Sequence, residues 1–141
     1  MRVRRAAPED APALCELNRQ FNGDGVAGVN HVRERLADAG VERCLVCECD
    51  GRIAGFICAL CFSSLCYIDP VAEITELYVC PDFRRKGAGR MLVEAMVRQL
   101  RSEGAAEIRL LTGRANSPAR ALYEACGFRQ KDECCYEYED N

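Results

Sequence analysis

The stretch from Glu73 to Leu100 restricts the possible folds more than any other. An apolar, β-branched run, Glu73-Ile74-Thr75-Glu76-Leu77-Tyr78-Val79, stops at Cys80-Pro81. A basic glycine-bearing loop follows, Arg84-Arg85-Lys86-Gly87-Ala88-Gly89, and a long amphipathic run begins at once. The order is strand, tight loop, helix. Met91, Leu92, Ala95, Met96 and Leu100 fall on one helical face, so that face packs on a sheet while the helix start points outward. Gly87 and Gly89 let the backbone turn sharply and approach a ligand. The first amides of the helix have no intrahelical acceptor and lie at the positive end of its dipole. With Arg84, Arg85 and Lys86 ahead of them, they form an anion site suited to phosphate.

Two common phosphate loops are excluded. A P-loop ends in Gly-Lys-Ser/Thr, but Gly89 is followed by Arg90-Met91. The dinucleotide fingerprint needs a third glycine that is missing here. The pattern present is Arg-x-x-Gly-x-Gly. A second segment, Asn116-Ser117-Pro118-Ala119-Arg120-Ala121-Leu122-Tyr123-Glu124-Ala125-Cys126-Gly127-Phe128, lies downstream. In order and separation the two segments resemble the GNAT superfamily of acetyl-CoA-dependent N-acetyltransferases, and the resemblance spans nearly the whole chain.

That resemblance implies a mixed α/β fold, a twisted central sheet of about six to seven strands with about four helices over both faces. It implies an acyltransferase that passes the acetyl group of acetyl-CoA directly to an amine within a ternary complex. Leu77, Tyr78, Val79, Arg84, Arg85, Lys86, Gly87, Ala88, Gly89 and Arg90 would contact acetyl-CoA, joined by Asn116 and Ala119. Backbone groups of Leu77 and Val79, freed where the strand splays, would polarise the thioester and hold the pantetheine arm. Tyr123 takes the place of the family's general acid; a tyrosine keeps its proton at neutral pH and can give it to a leaving thiolate. Glu73 and Glu76 are both candidates for the general base. Family members that acetylate ribosomal protein N-termini often carry a glutamate where this chain has Leu111, which argues against that acceptor.

Composition sets bounds around this reading. A chain of 141 residues, 49% of them hydrophobic, suffices for one domain, residues 1–141, with a real core. No apolar run approaches the roughly 18 residues of a membrane span. Met1-Arg2-Val3-Arg4-Arg5 has no apolar segment behind it and is not a signal peptide, so the cytoplasm is the expected compartment. A net charge of −3 argues against general nucleic-acid binding. The eleven cysteines are an odd number with no secretion signal, which argues against a disulfide scaffold. Cys44-x-x-Cys47 and Cys58-x-x-Cys61 have zinc-ribbon spacing, yet both lie in strand-like runs where positions three apart face opposite ways. No metal is expected, and cysteine stands in for small apolar residues.

Along the chain, Met1 to Ala6 reads as a strand, and Asp10 with Pro12 starts a helix striped by Leu14, Leu17 and Phe21. Leu17-Asn18-Arg19-Gln20-Phe21 faintly resembles the aminoglycoside branch of the family. Asn30 is expected to cap a helix from His31 to Ala39 closed by Gly40, and His31 to be a surface residue. Val41–Cys49 and Arg52–Phe62 form a hairpin about Asp50-Gly51, with Gly55 marking a bulge or close approach. Tyr67 and Asp69 sit in a loop beside the acceptor. Further strands run over Val71–Cys80 and Glu107–Thr112. Ser117 caps a helix with Pro118 first in it, and Phe128–Gln130 and Cys134–Tyr138 finish the sheet. The acceptor expected is a small cationic primary amine, aminoglycoside-like; a protein or peptide amine and a non-catalytic acetyl-CoA-binding module are the alternatives. Monomer and homodimer remain open.

Overall fold

The computed structural model describes residues 1–38 and 40–140. Strand β1 (Arg2–Arg5) leads through a 3₁₀ turn (Pro8–Asp10) into α1 (Ala11–Asn22) and α2 (Val29–Ala37). Strands β2 (Glu42–Cys49), β3 (Arg52–Phe62) and β4 (Val71–Val79) follow, then a 3₁₀ turn (Pro81–Phe83), α3 (Ala88–Ser102), β5 (Glu107–Leu110) and α4 (Ser117–Ala125). The sheet order is β1-β2-β3-β4-β5, antiparallel up to β4 and parallel between β4 and β5. The parallel step is the one bridged by α3, as a parallel pair requires.

The side-chain period of two sorts the strands onto two cores. Leu45, Cys47, Ile57, Ala59, Ala72 and Ile74 pack on one face against Leu92, Val93, Met96 and Leu100 of α3. Val46, Ala54, Phe56 and Tyr78 pack on the other face with Leu14 and Leu17 of α1. Cys44 and Cys58 accordingly join the α1 face while Cys47 and Cys61 join the α3 face, so each Cys-x-x-Cys pair points to opposite sides of the sheet.

Local chemistry explains the joints. Asp50 and Gly51 both have positive φ (52° and 76°), the backbone of a tight hairpin turn matched to strand twist. Gly55 is a close approach: a Cβ there would lie 2.6 Å from the Tyr78 carbonyl oxygen, and the register of β2 shifts just past its partner Cys47. Gly55→Val is expected to cost about 1–3 kcal/mol, because the atom in the way is strand backbone; chemical denaturation reads it, and an unchanged midpoint refutes the close approach.

Arg4 ties β1 to its neighbours. It donates to both carboxylate oxygens of Asp10 (2.7 and 2.9 Å) and to Glu48 (2.8 Å). The Arg4 hydrogen bond holds Asp10 below the usual carboxylate range, against burial, which pushes it up. A depressed folded value means that this stability is present above the unfolded value near about 3.9 and is lost as pH falls through the folded one. Arg4→Met should therefore lower Tm at neutral pH and flatten its fall on acidification; a parallel curve would rule the linkage out.

Four expectations need correction. Among the described residues the sheet has five strands, not six or seven. Residues 128–140 form no strand and, Phe128 apart, are exposed. The edge offered by β5 is only four residues long, with Glu107 and Arg109 exposed on it, and Lys131-Asp132-Glu133 interrupts the tail. The second helix starts at Val29 with Gly28 as its N-cap, not at His31 behind Asn30; its expected last residue, Ala39, lies outside the described residues. The cap of α4 is Asn116 rather than Ser117, and Pro118 is second in the helix. His31 is exposed.

Candidate active site

Strand β4 is paired on both sides only at its start. Its parallel register with β5 runs from Val71↔Glu107 to Ile74↔Leu110 and stops. Thr75 begins a bulge against β3, where its hydroxyl donates to the Cys58 carbonyl (3.3 Å). Cys80 N–H donates to Ala54 on β3 (2.8 Å). By alternation, Leu77 and Val79 direct their backbone groups to the opposite edge, the one that β5 no longer covers. The Val79 carbonyl is taken by Arg84 Nε at 2.9 Å. Tyr78 directs its backbone at β3 and its ring at α1, stacking on Phe21 (5.1 Å) and bonding Gln20 through its hydroxyl (3.2 Å). It lies on neither the open edge nor the loop.

Beyond β4 the loop is contorted. Arg85 has φ 63°, unusual for a side-chain-bearing residue, and Gly87 has φ 86° as the N-cap of α3. No side chain caps this helix. Its first internal bond runs from Met91 N–H to Gly87 O (3.0 Å), which leaves the amides of Ala88, Gly89 and Arg90 pointing outward. Left-handed residues alternating along a loop into such a terminus make a concavity of N–H donors that fits a diphosphate. Arg84, Arg85 and Lys86 are exposed around it; Arg84 also lies over the Tyr78 ring (5.6 Å) and Lys86 over Phe83 (5.6 Å). Arg90 pairs with Glu94 (2.7 Å). Gly89 has a second use: a Cβ there would meet Leu122 of α4 at 3.2 Å, so its absence lets α3 and α4 converge beside the open edge.

On α4, Asn116 Oδ1 accepts from Ala119 N–H (3.2 Å). That engages Ala119's donor and leaves the Asn116 amide group to face outward. Tyr123 is half-buried, and burial raises its hydroxyl above the ordinary tyrosine value. A Schellman ending fixes it: Gly127 (φ 96°) donates to Glu124 O (3.1 Å) and Phe128 to Tyr123 O (3.0 Å). The Phe128 ring then meets the Tyr123 ring edge-on at 6.0 Å.

The two glutamates differ in setting. Glu73 is paired in register with Arg109 on β5 and forms an ion pair with it (3.5 Å). Glu76 lies past the last β4–β5 pair, on the α1 side of the sheet. Burial raises its pKa, the nearby Asn22 amide opposes that, and the Glu42 charge adds to it. Neither Asn22 nor Glu42 stood out in the sequence, since no local pattern marks a residue whose partner lies across the fold. Tyr67 and Asp69 lie at the N-terminal end of β4, remote from the loop of residues 84–89, where with Ile68 they line a shallow groove.

A split mixed sheet whose open strand edge ends over an uncapped helix N-terminus is the architecture of an acetyltransferase. The family model for acetyltransferases of the GNAT family matches residues 12–128, and the chain belongs to that family. It is 34% identical to an uncharacterised N-acetyltransferase of Chlorobaculum tepidum over 113 residues, 78% of this chain and 66% of that one. It is 28% identical to aminoglycoside N(6')-acetyltransferase type 1 of Stenotrophomonas maltophilia over 95% of this chain and 90% of that one. Over 42% of this chain and 40% of the other it is 39% identical to the [ribosomal protein bS18]-alanine N-acetyltransferase of Salmonella typhimurium. Thus it spans about two thirds of the first relative's length and less than half of the third's. Among solved structures, AAC(6')-Iy in complex with the bisubstrate analogue CoA-S-monomethyl-acetylneamine superposes with a TM-score of 0.85 at 19% identity, covering 99% of this chain and 98% of that one. No helix among the described residues is long and apolar enough to cross a membrane.

Proposed function

We propose that the protein transfers the acetyl group of acetyl-CoA to a primary amine on a small cationic acceptor, by direct transfer within a ternary complex. The observation that carries this is the open edge of Leu77 and Val79 running into the uncapped start of α3. The amides of Ala88, Gly89 and Arg90 and the loop cations hold the diphosphate. The free edge of β4 aligns the pantetheine arm, and Leu77, whose edge groups no strand occupies, polarises the thioester. Glu76 accepts the proton of the acceptor ammonium, and Tyr123 protonates the departing thiolate. Asn116 presents its free amide group to the donor.

The acceptor side is the α1 face. Glu76 stands there with Asn22, Gln20 and Tyr78 near it, a polar floor whose uncompensated carboxylate suits a cation; Glu42, also on this side, is already paired with Arg35 (3.2 Å). The aminoglycoside acetyltransferase of Stenotrophomonas maltophilia, similar over nearly the whole chain, supports this class. A protein N-terminal amine is the second reading, favoured by the local similarity to the bS18 enzyme; Leu111 is 70% exposed where a carboxylate would be wanted. Turnover of acetyl-CoA against a panel of aminoglycosides, polyamines and peptide amines, followed by thiol release, decides. Acetyl-CoA binding without release on any amine would leave only a binding module.

The donor site has its own test. Gly87→Val forces a β-branched residue into the left-handed region at about 1–2 kcal/mol, so the Kd for acetyl-CoA should rise about tenfold or more by calorimetry. Unchanged affinity would remove the loop from the site.

A further inference from the structure

The residues directly opposite each other at the centre of the β2–β3 hairpin are both cysteines, Cys44 and Cys58. Both are free and half-buried, and both face the α1 side of the sheet. The backbone pattern makes theirs the narrow kind of pair. Cys44 uses its carbonyl to accept from Ala6 on the β1 side (3.0 Å), away from β3. Three residues earlier, Cys61 N–H donates to Val41 O (3.0 Å), so that pair is hydrogen-bonded and alternation makes Cys44↔Cys58 non-hydrogen-bonded. Such pairs hold their Cα atoms about 4.5 Å apart and their side chains closest, within the separation that a disulfide spans without backbone movement. The other cysteines of the hairpin lack this: Cys47 opposes Gly55, Cys49 opposes Arg52, and Cys61 faces α3.

We propose that Cys44 and Cys58 are a redox-modification site that closes reversibly into a cross-strand disulfide on exchange with low-molecular-weight disulfides such as oxidised glutathione. The Cys44 thiolate attacks one sulfur of the oxidant, forming a mixed disulfide and expelling one thiolate. Cys58 gives up its proton and attacks the Cys44 sulfur, forming the protein disulfide and expelling the second thiolate. Two protein thiols are oxidised and one small disulfide is reduced to two thiols. The facing Cys44 thiol, burial, and the carboxylates of Glu42 and Glu76 keep the Cys58 thiol well above its usual range, which makes Cys58 the resolving partner and leaves Cys44 as the entry point.

The location gives the bond a consequence that rests on the acetyl-transfer reading. Cys58 is the register partner of Glu76, and its carbonyl accepts the Thr75 hydroxyl at the bulge where β4 leaves β5. Closing the bond turns the Cys58 thiol away from Glu76 and into the disulfide, which changes the surroundings of the proposed base without moving the strands.

The test equilibrates the purified protein in glutathione redox buffers, blocks free thiols by alkylation and maps tryptic peptides without reduction. Expected is a cross-link between peptides 44–52 and 53–84 that dithiothreitol removes. It should vanish in Cys44→Ala and in Cys58→Ala and persist in Cys49→Ala and Cys66→Ala, with thermal melts confirming that each variant is folded. A cross-link surviving in either of the first two variants, glutathione adducts alone, or no cross-link at all overturns the proposal. Oxidised protein whose turnover matches the reduced form overturns the coupling to the site. A protein that acetylates no amine defeats the acetyl-transfer reading instead, and the covalent readout is unaffected by it.

Discussion

Replacing Tyr123 with phenylalanine should lower kcat by about 10²–10³-fold while leaving acetyl-CoA binding within about twofold, the signature of a lost general acid. The hydroxyl is the only atom removed. Its removal leaves the ring in place, edge-on to Phe128 and anchored by the bonds that end α4. Burial, with the neighbouring Cys126 adding to it, raises the Tyr123 pKa above the ordinary tyrosine value, so the group is protonated throughout the physiological range. In the proposed reaction a coenzyme A thiolate leaving in the transition state would therefore meet a loaded donor without waiting for solvent. Steady-state kinetics by thiol release, beside calorimetric binding of acetyl-CoA, make the comparison. Wild-type kcat in the variant would reduce Tyr123 to a packing residue. Equal losses in affinity and kcat would signal a displaced helix.

How much of this could be read from the residues depends on how local each feature is. The hairpin at Asp50-Gly51, the end of β4 at Cys80-Pro81 and the start of α3 at Ala88 are written in turn chemistry and periodicity, and they stand where the residues put them. Gly55 signalled its close approach because a glycine inside an apolar strand run is hard to explain otherwise. The tail misled because Cys134–Tyr138 has strand-like alternation, but a strand at an edge needs a partner, and β5 is short and half polar. Caps shifted by a residue or two because Asn116-Ser117 offers two capping side chains, and only the fold decides which oxygen reaches the third amide. At the site, the loop was legible through Arg84, Gly87 and Gly89. What those glycines do was legible only in part: Gly87 supplies the left-handed cap, whereas Gly89 admits Leu122. The separation of Glu73 from Glu76 was not legible at all. It follows from where β5 stops, and from Arg109 and Asn22, both distant in the chain.

That separation leads to the second large effect. Glu76→Gln should reduce kcat by about 10²-fold at neutral pH, and Glu73→Gln by less than about tenfold. Glu73 already has a cation, Arg109, at 3.5 Å in the closed part of the sheet, so its charge is compensated and directed away from the split. Glu76 stands beyond the last β4–β5 pair with its pKa raised first by burial, as a base working near neutrality requires. The pH profile carries the sign. As the proposed base Glu76 would have to be ionised, so kcat/KM should climb through an inflection above the ordinary glutamate value of about 4.3, and the Gln variant should lose that limb. Stability should move the other way. A carboxyl whose folded pKa is raised stabilises the fold below its unfolded value, and that contribution is lost as pH rises through the folded value. At neutral pH the ionised Glu76 is thus a burden on the fold, and Glu76→Gln should melt higher than wild type even as it turns over more slowly. If Glu73→Gln proves the slower enzyme, or if the acid limb survives in Glu76→Gln, the base is the residue beside Arg109 and the acceptor amine reacts nearer the start of β4.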